Sequence, residues 1–200
     1  RRFEAVGVQM LTIHGRTREQ GYKGQAEYAT VAAVKQAVRI PVVVNGDITS
    51  PQTAQAALQA SGADALMVGR AAQGRLWIFR EIAHYLATGQ HLAPPLVEEV
   101  RGLLLEHLDD HYRLYGSATG VRSARKHIGW YVRDLPGGDA LRRHTNTLDD
   151  CAAQTQAVND YFLRLGQQME RLPQGRPATA PGANPLTLEK TLQAVFEGAA

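Results

Sequence analysis

A chain of 200 residues with a single cysteine is long enough to bury a core, and it has too little sulfur for a disulfide framework. No apolar run is long enough to cross a bilayer as a helix, and a soluble, cytoplasmic protein is expected. The net charge is only +3 and the isoelectric point about 9.2, a balance that does not by itself argue for nucleic acid.

The chain opens on Arg1-Arg2-Phe3 with no Met and no apolar signal segment, and Glu4-Ala5-Val6-Gly7 reads as the end of a helix. Gln9 to Ile13 reads as a strand ending in His14-Gly15-Arg16-Thr17-Arg18. After a loop with Gly21 and Gly24, a helix is predicted from about Thr30 to Val38. Residues 41–45 form a second short β-branched run, which ends in Asn45-Gly46-Asp47. Pro51 to Ala60 then carries Ala54, Ala57 and Leu58 at helical spacing. Thr49 or Ser50 suits the cap of that helix, and Pro51 suits its first position, where a missing N–H costs nothing. Residues 65–68 form a third strand, which ends in Gly69-Arg70.

Three strand–loop–helix units in a row point to a parallel sheet. Their strand ends, His14, Asn45 and Gly69, recur near the roughly 30 residues per unit of a (β/α)8 barrel. In such barrels the loops after the last two strands commonly hold a phosphate, and a backbone amide approaches an anion only where no side chain intervenes. Gly46 and Gly69 meet that condition. The predicted fold class is therefore α/β: the carboxy-terminal portion of a (β/α)8 TIM barrel over residues 1–92, followed by a small all-α helical domain over 93–172. Three units are well under half a barrel, so the chain is expected to be a carboxy-terminal fragment whose open sheet edge favours self-association.

Pro94-Pro95 closes the barrel-like region. Val97, Val100, Leu103, Leu104, Leu108 and Tyr112 then form an apolar stripe, a second helix is predicted from about Thr119 to Arg133, and a third from about Thr147 to Leu172. In the second, Arg122, Arg125, Lys126 and Arg133 share one side, while Val121, Ala124, Ile128 and Val132 share the other. Positive charge is focused there in a region whose charges otherwise nearly cancel. Residues 173–185, with Pro173, Pro177, Pro181 and Pro185, read as a linker, and 186–200 as a short helical tail beginning near Asn184.

The series His14-Gly15-Arg16-Thr17, Gly24-Gln25-Ala26-Glu27-Tyr28, Asn45-Gly46-Asp47-Ile48, Gly62-Ala63-Asp64-Ala65, Gly69-Arg70-Ala71-Ala72 and Trp77-Ile78-Phe79 resembles the flavin-binding half of bacterial tRNA-dihydrouridine synthases. Ala124-Arg125-Lys126-His127-Ile128-Gly129-Trp130-Tyr131 resembles that family's helical RNA-binding domain. The resemblance implies an FMN enzyme that reduces a uridine in tRNA to 5,6-dihydrouridine with NADPH as hydride source. It places His14 against the flavin ring, Arg16 near the ring and the entering nucleotide, Asn45, Gly46 and Asp47 along the ribityl and phosphate path, and Gly69 with Arg70 on the phosphate. It makes residues 93–172 a tRNA-binding domain, with Arg122, Arg125 and Lys126 on the RNA. The family's catalytic cysteine and a flavin-side lysine belong to the missing half, so no catalytic residue is assigned and the fragment is expected not to complete the reaction. Cys151, beside Asp149 and Asp150, reads as a helix packing residue. No metal is expected, and a monomer is expected for the full-length protein.

Other readings of the same residues stay open. His14 suits a donor to a neighbouring carbonyl, Asp47 a helix-capping acid, Arg16 and Arg18 a solvated loop, and the Arg122 stripe an exposed arginine face. At the level of the whole chain, the alternatives are another FMN- or sugar-phosphate-binding barrel enzyme and a noncatalytic RNA-binding remnant.

Overall fold

The structure, a computed structural model, describes residues 1–21 and 23–173. The expected linker from 174 onward and the tail over 186–200 lie outside the described residues. A short helix α1 (Arg2–Ala5) precedes three parallel strands, β1 (Leu11–His14), β2 (Val42–Asn45) and β3 (Ala65–Met67), in the sheet order β1-β2-β3. The helices α2 (Ala29–Ala37), α3 (Pro51–Ser61) and α4 (Ile78–Thr88) follow the strands in turn. Each strand lies within a few residues of its expected place, because runs such as Val42-Val43-Val44 suit little but a buried strand. Ser50 is the cap of α3: its hydroxyl accepts from the Thr53 amide while Thr53 reaches back to the Ser50 N–H, with Pro51 at the first helical position.

One face of the sheet is covered. Val31, Val42, Val44, Ile48, Ala54, Ala57, Ile78 and Ile82 form a core between the strands and α2, α3 and α4. On the opposite face Thr12, His14, Ala65 and Met67 are exposed. Parallel sheets are ordinarily covered on both faces, so this open face is the surface that further strands or another chain would close.

The second core belongs to a helical bundle of α5 (Val97–Val132), α6 (Gly138–Thr145) and α7 (Cys151–Gln168). α5 is broken at Gly116 (φ 71°, ψ 170°), which separates a first arm carrying Val97, Val100, Leu104 and Leu108 from a second carrying Ala124, Ile128, Tyr131 and Val132. The predicted apolar stripes of both arms are thus the faces that pack. The third helix is shorter at both ends than its expected span of Thr147 to Leu172: Asp150 caps its start by accepting from the Ala153 amide, and Met169 turns to extended backbone after Gln168. Leu172 leaves the helix and donates its amide to the Pro95 carbonyl, tying the end of the bundle to its beginning. The buried Gln154 joins three parts of the bundle. Its Nε2 donates to the Val121 and Thr145 carbonyls, and its Oε1 accepts from the Tyr112 hydroxyl at 2.8 Å.

The two cores meet at neighbouring residues. Trp77 packs in the bundle, 6.4 Å from the Tyr131 ring between centroids, while Ile78 is buried beneath the sheet. Gly74 (φ +69°) lies so close to the second arm of α5 that a Cβ there would stand 2.3 Å from the Trp130 carbonyl carbon. Arg80 and Glu99 add an ion pair at 2.6 Å across the same junction.

Candidate active site

The parallel register sets His14, Asn45 and Met67 side by side at the carboxyl ends of the three strands. Asn45 links its neighbours. Its Nδ2 donates to the Met67 carbonyl at 2.8 Å, and its Oδ1 faces Nδ1 of His14 at 2.6 Å. With the amide oriented by Met67, Oδ1 must accept, so His14 carries a proton on Nδ1 and its Nε2 is left for another partner. The alternative reading of His14 as a donor to a backbone carbonyl gives way to this side-chain partner.

The turn after β2 is built around Asp47. Gly46 has φ +130°, and a Cβ there would come 2.7 Å from the Ala26 methyl, so only glycine fits. Asp47 follows at φ +48°, in the left-handed region that Asp tolerates better than most residues. Its Oδ2 accepts from the Ala26 amide at 2.8 Å and from Arg16 Nη2 at 2.6 Å, and its Oδ1 stands 3.8 Å from Arg70. Ser50, not Asp47, caps the helix. Burial pushes the Asp47 pKa up, but hydrogen bonds from Arg16 and the Ala26 amide, with the charges of Arg16 and Arg70, outweigh it and hold the carboxyl below its usual range. Tyr28 donates to the Gly46 carbonyl at 2.8 Å, and burial with the nearby Asp47 charge raises its pKa, which keeps it a donor.

Arg16 corrects the expectation of a solvated loop. Its side chain is 2 % exposed, with Nη2 also donating to the Gly24 carbonyl at 2.8 Å and Nε to the Lys23 carbonyl at 3.2 Å, while Nη1 is buried without a hydrogen-bond partner. Two loops with separate places in the chain are therefore pinned by one guanidinium. Arg18 is exposed. Gly69 precedes a 3-10 turn (Arg70–Ala72), and a Cβ on it would meet nothing within 4 Å. Arg70 is half exposed. His14, Asn45, Gly46, Asp47, Gly69 and Arg70 thus gather at one end of the sheet, with Arg16 beneath them.

The cationic residues of the bundle divide. Arg122 and Lys126 are exposed, and Lys126 Nζ lies 5.7 Å from the centre of the Trp130 ring. Arg125 is a strut: it donates to the Leu148 carbonyl at 3.0 Å and pairs with Asp149 at 2.9 Å, and its Nε is buried. With Trp130, Arg133, Arg142 and Asn146, Arg125 and Lys126 line an open cleft of about 490 Å³ that also holds Asp134 and Asp139. Arg142 had no signal in the sequence, because α6 is short, carries only Leu141 and Thr145 inward beyond its first glycine, and shows no apolar stripe. Cys151, in the first turn of α7, is partly buried, and burial with the Asp150 charge raises its thiol pKa.

Ligand-binding residues at the carboxyl ends of parallel strands are the mark of α/β proteins that hold small molecules in the mouth of the sheet. The comparisons narrow that class. The chain belongs to the dihydrouridine synthase (Dus) family, whose model matches residues 1–166. It is 53% identical over 167 residues to a tRNA-dihydrouridine synthase B of Pseudomonas putida, covering 84% of this chain and 50% of that protein. It is 54% identical over 159 residues to the protein of that name from Pseudomonas aeruginosa (80% and 48%), and 52% identical over 159 residues to that from Salmonella typhimurium (80% and 50%). The chain spans about half the length of the curated relatives it matches.

Proposed function

We propose that this chain forms the cofactor-binding and RNA-binding half of an FMN-dependent tRNA-dihydrouridine synthase, which reduces uridine in tRNA to 5,6-dihydrouridine with NADPH as hydride source. The observation that carries the reading is the gathering of His14, Asn45, Gly46, Gly69 and Arg70 at one end of a parallel sheet, in a member of the dihydrouridine synthase family. On this reading the three strands are part of a TIM barrel, with the ligand at its carboxyl mouth.

The residues present fit FMN. The open space on the side of Gly69 where a Cβ would project suits the close approach of a phosphate. Arg70 adds a planar fork of donors matched to two phosphate oxygens. Asn45 and Gly46 line the ribityl path, and His14 offers Nε2 to the ring while Asn45 holds its Nδ1 proton. Arg16 and Asp47 act at one remove, holding the two loops in register. When bound, FMN supplies the hydride transfer that amino-acid side chains cannot. The family resemblance implies a cysteine outside these residues as proton donor to the uracil ring, and Cys151, in the bundle with a raised pKa, does not fit that role. Arg122, Lys126, Arg133 and Arg142 present cations to the phosphates of folded tRNA, which is recognised largely by shape and backbone.

The test is a titration of FMN against riboflavin on this chain joined to the amino-terminal half of the Pseudomonas putida relative. FMN is expected to bind at least about tenfold more tightly, a margin in keeping with a charge-assisted bidentate contact, and Arg70→Ala should erase the difference. Equal affinities in the unaltered protein would overturn the phosphate assignment.

A further inference from the structure

We infer that the elbow of α5 is a divalent transition-metal site, with His107, His111 and His127 as ligands and Zn²⁺ as the ion it suits. One ring nitrogen of each lies within 4.8 Å of the other two, and among the described residues this is the one such group of three. His107 and His111 are four residues apart on the first arm and share a face, while His127 comes from the second arm, beyond the break at Gly116. The rings are 4.9 Å (107 to 127), 5.1 Å (111 to 127) and 6.3 Å (107 to 111) apart between centroids.

A four-coordinate zinc with bonds of about 2.0–2.1 Å needs its nitrogens roughly 3.3–3.4 Å apart, so small rotations of the rings close the site. One ligand is already oriented by a neighbour. The Ser123 hydroxyl donates to the Thr119 carbonyl at 2.8 Å, so its oxygen is left to accept from Nε2 of His111 at 2.7 Å. His111 therefore carries its proton on Nε2 and presents a lone pair at Nδ1, which is the outer support that metal-bound imidazoles characteristically have. Burial leads in lowering all three pKa values, that of His127 to about 4, and the neighbouring histidines and Lys126 lower His111 and His127 further, while Asp110 partly opposes the shift at His107. Those directions favour the uncharged imidazoles that ligation requires. Three imidazoles without a thiolate suit zinc, copper or nickel, and leave a fourth position for water.

The site lies in the helical bundle, apart from the strand-end turns, and an ion there would tie the two arms of α5 across their break. The competing description of the same rings is a T-shaped aromatic cluster, and the two part in solution. Tag-free protein titrated with Zn²⁺ should take up one ion per chain. His127→Gln should weaken binding by at least about tenfold, whereas His84→Gln should leave it unchanged. Co²⁺ in the same protein should give the intense visible bands of a four-coordinate ion and quench Trp130, whose ring stands 5.0 Å from that of His127. Absence of one-to-one uptake, uptake that survives His127→Gln, or the weak spectrum of six-coordinate cobalt would each overturn the site. If His127→Gln loses helix by circular dichroism, His107→Gln takes its place, and the cobalt spectrum of the unaltered chain decides independently of any variant.

Discussion

Replacing Asp47 with Asn removes one charge and little volume from the turn after β2. The Arg16 guanidinium it faces is 2 % exposed and already has one nitrogen without a partner. Breaking a fully buried pair by deleting one member costs about 3–5 kcal/mol, because the remaining charge stays buried. Three features lower that figure here: Asp47 is 33% exposed, two backbone carbonyls still accept from Arg16, and Asn keeps an acceptor for the Ala26 amide. The expected loss is about 2 kcal/mol. Urea unfolding followed by circular dichroism measures it, and amide exchange at Ala26 reports whether the loop loosens. Arg16→Met in the same background should recover about 1 kcal/mol or more relative to additivity, since it removes the stranded charge. A loss under about 0.5 kcal/mol, or strictly additive single variants, would refute the buried-pair reasoning. The pH dependence has a definite sign. The folded pKa of Asp47 lies below its unfolded value of about 3.9, so its contribution is complete above that value and disappears as pH falls through the lower one. Asp47→Asn should flatten that part of the acid limb.

Three further outcomes are expected. Gly74→Ala forces a Cβ onto the Trp130 backbone at a positive φ, and should cost about 2–4 kcal/mol and shift tryptophan emission to the red as Trp77 loosens; an unchanged melting temperature would contradict the close approach. Cys151 should react with a disulfide reagent at pH 8 several-fold more slowly than free cysteine, because its thiolate is disfavoured, and equal rates would show that the thiol is not shielded. In the joined full-length protein, replacing Arg122 and Lys126 with Ala should lower tRNA affinity and reduce the slope of log affinity against log salt by about 1 for each phosphate that is no longer neutralised, and an unaltered slope would remove these two residues from the interface.

The parts legible in the sequence were those decided locally. The β-branched run before Asn45, the Ser50-Pro51 start of α3 and the apolar stripes of α5 each follow from short-range spacing, and each stands close to where it was expected. The pairing of Arg16 with Asp47 was not legible: the two are 31 positions apart, and nothing in either segment says that the first loop folds back over the second. The same holds for Arg125, whose partner Asp149 sits in the cap of another helix. Helix α6 has no stripe to announce it, and α4 shows only Ile78 and Ile82 on its buried side. His107, His111 and His127 drew no expectation from the sequence: the first two are spaced to share a helical face, but the third joins them only because the chain turns at Gly116.

Residues 77 and 78 are consecutive, yet one is an anchor in the bundle and the other an anchor under the sheet. Neither half can pivot without drawing an indole or an isoleucine into water, which costs several kcal/mol. The span from the cationic cleft to the mouth of the strands therefore behaves as a caliper with a locked jaw. On the proposed function, a tRNA gripped at one end would offer to the other whichever nucleotide that fixed reach selects, and choice of target would then be a matter of length rather than of reading bases.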